Sequence, residues 1–164
     1  MEKEEQINRI EKFLDEVVIQ ELGKAHQAGL TYMQFVLMGQ AIEVLGSLLD
    51  NKPIKAKDQS AKRFSNSINW LFGGRYRLLN TNNVLYDKLR NQMTHTFIPS
   101  NDILLRNQKD SQGEYHHLEF WNGKLVLVSE VFYEDICRAC RRLLHLLKEG
   151  KVKPKNIAFE IYEK

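Results

Sequence analysis

Arg90, Asn91 and His95 are the residues of this sequence whose types and spacing come nearest to a reaction. They belong to the run Arg90-Asn91-Gln92-Met93-Thr94-His95, near the end of a helical pattern. On an ideal helix Asn91 and His95 share a face, whereas Arg90 points about 140° away from His95 at roughly 100° per residue. All three avoid the apolar stripe of Leu85, Leu89 and Met93. His95 falls in the last turn, where the helix dipole favours a cation, and Arg90 carries a permanent charge. A proton-carrying histidine beside a fixed cation is what metal-free phosphodiester transesterification requires. In that chemistry His95 takes the proton of a ribose 2′-OH or gives one to the leaving oxygen. Arg90 stabilises the charge gathering on the phosphorane, and Asn91 orients a phosphate or the imidazole. The plain alternative is a polar helix face turned to water.

Other residues offer weaker chemistry. Arg75-Tyr76-Arg77 is a basic and aromatic cluster of the kind that contacts RNA by stacking on a base. Its competing reading is that Tyr76, with Trp70, closes the core beyond Gly73-Gly74. His116 and His117 are adjacent, and in a strand they would face opposite sides and could not share a ligand. Cys137 and Cys140 have a CxxC spacing, but they lie in an apolar-periodic helix with no second pair of ligands, which reads as two reduced core cysteines. No P-loop, dinucleotide, serine-hydrolase or zinc-protease pattern occurs. No metal and no cofactor are therefore expected.

The elements that must position these residues are mostly helices. Ile7, Ile10, Leu14, Val17 and Val18 recur at helical spacing, with Gly23 or Gly29 able to close the element. Thr31 and Gln34 match a capping box, followed by a stripe of Leu37, Ala41, Val44, Leu45 and Leu48 that Met38, Ile42 and Leu49 widen into a core helix. Phe64, Ile68, Leu71 and Phe72 define a third helix ended by Gly73-Gly74, and Asn80 to Asn83 offer caps for the fourth, which stops before Pro99. The period then changes. Ile103 to Leu105, His117 to Trp121 and Leu125 to Val128 read as strands of a small antiparallel sheet, with Asn122-Gly123 as a type I′ hairpin turn. Ser129 is the expected cap of a last helix with Phe132, Ile136, Cys140, Leu143, Leu144 and Leu147 inward and Gly150 at its end. Residues 157–162 read as an edge strand or a segment packed across the surface. The expectation is a mainly α fold: an antiparallel up-and-down bundle of four or five helices, with a β-hairpin inserted before the last one.

Composition sets the bounds. The chain has 164 residues, 43% of them hydrophobic and 27% charged, enough for one domain with a core and without disulfide or metal staples. It is read as a single unit over 1–164, with an insertion at about 101–128 and a tail at 151–164. A net charge of +3 is too small to announce a polyanion partner, although 52–77 and 138–155 each carry a basic excess. The mixed charges of the first five residues lack the layout of a signal peptide, and Gln34, Gln40 and Glu43 interrupt the most apolar segment. A cytoplasmic protein without membrane attachment is expected.

A helical domain carrying Arg-Asn-x-x-x-His toward the end of its penultimate long helix resembles the HEPN superfamily, the higher eukaryote and prokaryote nucleotide-binding domains. The run from Leu85 to His95 is similar to that of a bacterial branch of uncharacterised HEPN-like proteins, and the resemblance covers 35–98 and the final helix in outline. It implies a homodimer in which two motifs face each other across a two-fold axis and form a composite RNA-cleaving cleft. Arg90 would then meet the His95 opposite rather than its own. The hairpin at 114–128 departs from the compact family bundle. Two functions follow from the resemblance. One is a metal-independent endoribonuclease in RNA processing, phage defence or a toxin role, with a cognate antitoxin as partner. The other is a non-catalytic interaction or regulatory module that binds a protein or nucleic acid.

Overall fold

The computed structural model describes residues 2–158 and shows a mainly helical domain with a small three-stranded sheet. The expected 157–162 segment lies largely outside the described residues. At the N-terminus α1 (Glu2–Phe13), a π-helical turn (Leu14–Ile19) and α2 (Gln20–Gln27) run on as one rod, because Phe13 and Gln20 at the joins keep helical backbone angles. A π turn is wider than an α turn and shifts the apolar stripe. Val17 is left exposed, while Ile7, Ile10, Leu14, Val18 and Leu22 are buried. Gly29, with φ +71°, closes the rod.

The longest apolar element is α3 (Thr31–Leu49), and it has the length and composition to cross a membrane. Most of it is buried in this domain instead: Phe35, Met38, Ile42 and Leu45 have no exposed surface. Two expectations fail here. Thr31 is the first helical residue rather than a cap, so the capping box does not form, and Gln34 is fully buried with neither amide atom hydrogen-bonded. Leu37, assigned to the inner stripe, is exposed along with Met33. The helix is apolar nearly all round, so periodicity alone did not identify its one outward face.

Among the helices packed against α3 is α4 (Ser60–Leu71), which buries Phe64, Ile68 and Leu71. A methyl group at Gly46 would lie 1.9 Å from the Arg63 carbonyl oxygen, so the two backbones touch there. After α5 (Gly74–Leu79) and a 3-10 turn (Thr81–Asn83), a helix over 84–96 contains a second π turn (Tyr86–Asn91) and ends in α6 (Gln92–Thr96). Leu85, Leu89 and Met93 face the core as expected, and Phe97 takes the left-handed conformation that terminates the helix before Pro99. Trp70, by contrast, is exposed and does not close the core.

The sheet corrects a further expectation. Strand β1 (Ile103–Arg106) pairs parallel to β3 (Lys124–Val128), and only β2 (Phe120–Trp121) is antiparallel to it, in the order β1-β3-β2. The connection over 107–123, which holds α7 (Gln108–Ser111) and β2, is long enough for a parallel return. Asn122 and Gly123 both have positive φ, as a type I′ turn requires. The strand expected from His117 begins only at Phe120, since Leu118 has φ +63°. The last element, α8 (Ser129–Lys148), buries the expected Phe132, Ile136, Cys140, Leu143, Leu144 and Leu147, and Gly150 follows at φ +74°. Val128, not Ser129, holds the cap position.

Candidate functional site

The motif helix reaches α3 over Gly39, where an added methyl would meet the Arg90 Cα at 3.3 Å. This close approach lays the Arg90 side chain against α3 instead of turning it to solvent; 15% of it is exposed. Its Nη2 lies 2.6 Å from Oε2 of Glu43, one turn beyond Gly39, and its guanidinium carbon sits 5.9 Å from the centre of the Tyr86 ring. The pair is close but poorly aligned. Arg90 Nε, Glu43 Oε2 and the neighbouring Thr94 Oγ1 are all buried without a hydrogen-bond partner. Glu43 Oε2 is still held in the ion pair with Arg90, so Arg90 Nε and Thr94 Oγ1 are the atoms that leave the cluster unfinished.

Asn91 and His95 lie on the outer side of the same helix, Asn91 half-buried and His95 exposed in the last turn. The π turn ends at Asn91, so the ideal wheel used to separate Arg90 from His95 does not apply across 86–91. Such single-turn π segments occur often at functional sites. The structure therefore places Arg90 as an inner cation, with Asn91 and His95 as outer groups. Sequence reasoning missed Glu43 and Thr94. Glu43, an acid within an otherwise apolar helix, was the available signal.

The weaker candidates separate from one another. Tyr76 is buried at 4% exposure, so its ring has no free face for a base. Its hydroxyl donates to Asp135 Oδ2 at 2.6 Å and lies 2.7 Å from His117 Nε2, while His117 Nδ1 accepts from the Val128 N–H at 3.0 Å. Nδ1 must then be unprotonated, so in the neutral ring Nε2 carries the hydrogen and donates to the Tyr76 oxygen. Burial lowers the His117 pKa to about 4, against the opposing pull of Asp135. Burial, with Asp135 adding to it, also raises the Tyr76 phenol well above its usual value. This chain of contacts ties α5, the hairpin and α8 together. Arg75 donates through Nε and Nη2 to the Leu118 carbonyl at 3.0 and 2.8 Å, and Arg77 is exposed. His116 is exposed and shares nothing with His117.

Cys137 and Cys140 are free and buried. Burial pushes the Cys140 thiol up to about 12 and raises that of Cys137, so neither is a ready thiolate. Among the described residues no group of three or more His, Cys, Asp or Glu is arranged to hold a metal ion. Comparison with protein-family models, with curated proteins and with solved structures finds nothing that matches this chain.

Proposed function

We propose that this chain is a HEPN-type domain that cleaves RNA as a homodimer without a metal, using His95, Asn91 and Arg90 at a composite site between protomers. The observation that carries the reading is the unfinished cluster of Arg90, Glu43 and Thr94 directly behind Asn91 and His95. A phosphate approaching Asn91 and His95 would have Arg90 behind it as a fixed charge held in place by Glu43, acting through the field rather than through its buried Nε. His95 removes the 2′-OH proton, the 2′ oxygen attacks phosphorus, and the bond to the 5′ oxygen breaks. The proton required by the leaving oxygen comes from His95 of the second protomer. The exposed Met33 and Leu37 on α3 provide an apolar surface for pairing, and an antiparallel up-and-down bundle belongs to the same proposal. RNA processing, defence or a toxin role answered by an antitoxin are the settings that such an activity fits.

A specific observation favours a second reading. Glu43 already matches the charge of Arg90, as it would in a non-catalytic module that keeps the fold and the dimer. The test is cleavage of end-labelled RNAs in EDTA by the parent and by His95→Ala, both checked for folding and dimerisation. Fragments ending in a 2′,3′-cyclic phosphate from the parent alone support the ribonuclease. Salt-sensitive RNA binding with no cleavage replaces it with the module.

A further inference from the structure

A cleft of about 440 Å³ opens on another part of the molecule, between the end of α4, α5, the loop before β2, and α8. That volume is in the range of small-molecule sites. Its walls divide by chemistry. Leu71, Phe72 and Leu118 form an apolar side, and Arg75, Arg138 and Arg142 supply charge. Arg138 and Arg142 are one turn apart on α8, so they project to the same side of the helix, while Arg75 reaches in from α5.

Asp135 is the one acid in the lining, and it is engaged: Oδ2 accepts from Tyr76, and Oδ1 is held by Arg138. Three arginines against one aspartate leave a surplus of two positive charges. The Arg75 fork is fixed in place by the Leu118 carbonyl, which orders its remaining nitrogen at no further entropic cost. Arg142 is exposed and, among the described residues, has no partner. Planar guanidinium forks match phosphate oxygens in pairs, and a phosphate monoester carries close to two negative charges at neutral pH.

We propose that this cleft binds a phosphate monoester, with its phosphate between Arg75, Arg138 and Arg142 and its organic part against Leu71, Phe72 and Leu118. The site is separate from His95 and does not depend on the ribonuclease reading. Two sources carry that chemistry: a small organic phosphate, or the 5′-terminal phosphate of an RNA strand.

The experiment is calorimetric titration of the full chain with phenyl phosphate, with benzoate, and with one short RNA bearing either a 5′-phosphate or a 5′-hydroxyl. Phenyl phosphate is expected to bind more tightly than benzoate. Arg142→Ala, at an exposed position that leaves the fold alone, is expected to weaken binding by ~10-fold or more, and Lys109→Ala not at all. If the 5′-phosphate tightens RNA binding and Arg142→Ala removes that gain, the RNA end is the source. If phenyl phosphate binds at least as well as the RNA, the source is a small molecule. Equal binding of benzoate and phenyl phosphate, or binding indifferent to Arg142→Ala, overturns the proposal.

Discussion

Helix α3 receives an arginine from a neighbouring helix at two places, and the two are built alike. At each a glycine permits the approach and an acid four residues later takes the charge: Gly46 and Asp50 for Arg63, Gly39 and Glu43 for Arg90. They differ in how far the arginine is satisfied. Arg63 donates to Asp50 from Nε at 2.7 Å and to the Ile54 and Pro53 carbonyls at 2.7 Å each, and Lys155 adds a second cation to Asp50 at 2.6 Å. Arg90 has a badly aligned Glu43 and the face of Tyr86, and a buried Nε with no hydrogen-bond partner. A completed cluster holds the chain together, whereas the one at Arg90 leaves the arginine less firmly tied to the fold. Arg63 is accordingly a residue of the fold, and Arg90 is the one to which the proposed function gives a further role.

The largest difference should appear on truncation. Arg63→Ala strips a buried, multiply bonded partner from Asp50 and should cost about 3–5 kcal/mol in urea denaturation. Arg90→Ala removes a poorly aligned pair and should cost about 1 kcal/mol. Equal losses would break the comparison. Gly46→Ala drives a methyl into the Arg63 carbonyl and should destabilise by about 3 kcal/mol, whereas Gly39→Ala, tight only by tenths of an ångström, should cost about 1 kcal/mol.

Acid sharpens the contrast at one end. Burial tends to raise the Asp50 pKa, but hydrogen bonds from Arg63 and Lys155 outweigh it and hold it at about 2. With the folded value below the unfolded one, the contribution is fully present above about pH 4 and lost as pH falls toward 2. It amounts to about 2 kcal/mol, and Asp50→Asn should remove it from a stability profile against pH. The smallest effect is expected at Thr94. Its hydroxyl is buried and unpaired, so Thr94→Val should change stability by less than about 1 kcal/mol, in either direction, by thermal melting.

Helix positions were legible where apolar residues repeat, as in Leu85, Leu89 and Met93, and so was the Asn122-Gly123 turn, because local chemistry decides both. The parallel pairing of β1 was not, since a crossover is decided by tertiary packing. At the candidate site, Arg90, Asn91 and His95 stood out by type and spacing. The inward set of Arg90 was hidden, because it depends on Gly39 and Glu43, which lie some fifty residues earlier. The arginine cleft was hidden for the same reason: Arg75 was visible within a cluster, but Arg138 and Arg142 join it only through the packing of α8.

The most direct test of the account is Arg90→Lys, assayed for stability and for RNA cleavage in EDTA on one preparation alongside the parent. Lysine keeps the charge beside Glu43 but loses the planar fork. The expected result is cleavage by the parent, with a stability loss of about 1 kcal/mol or less in the variant and cleavage reduced ~100-fold or more. A variant that cleaves as the parent does, or a parent that leaves every RNA intact, would contradict it.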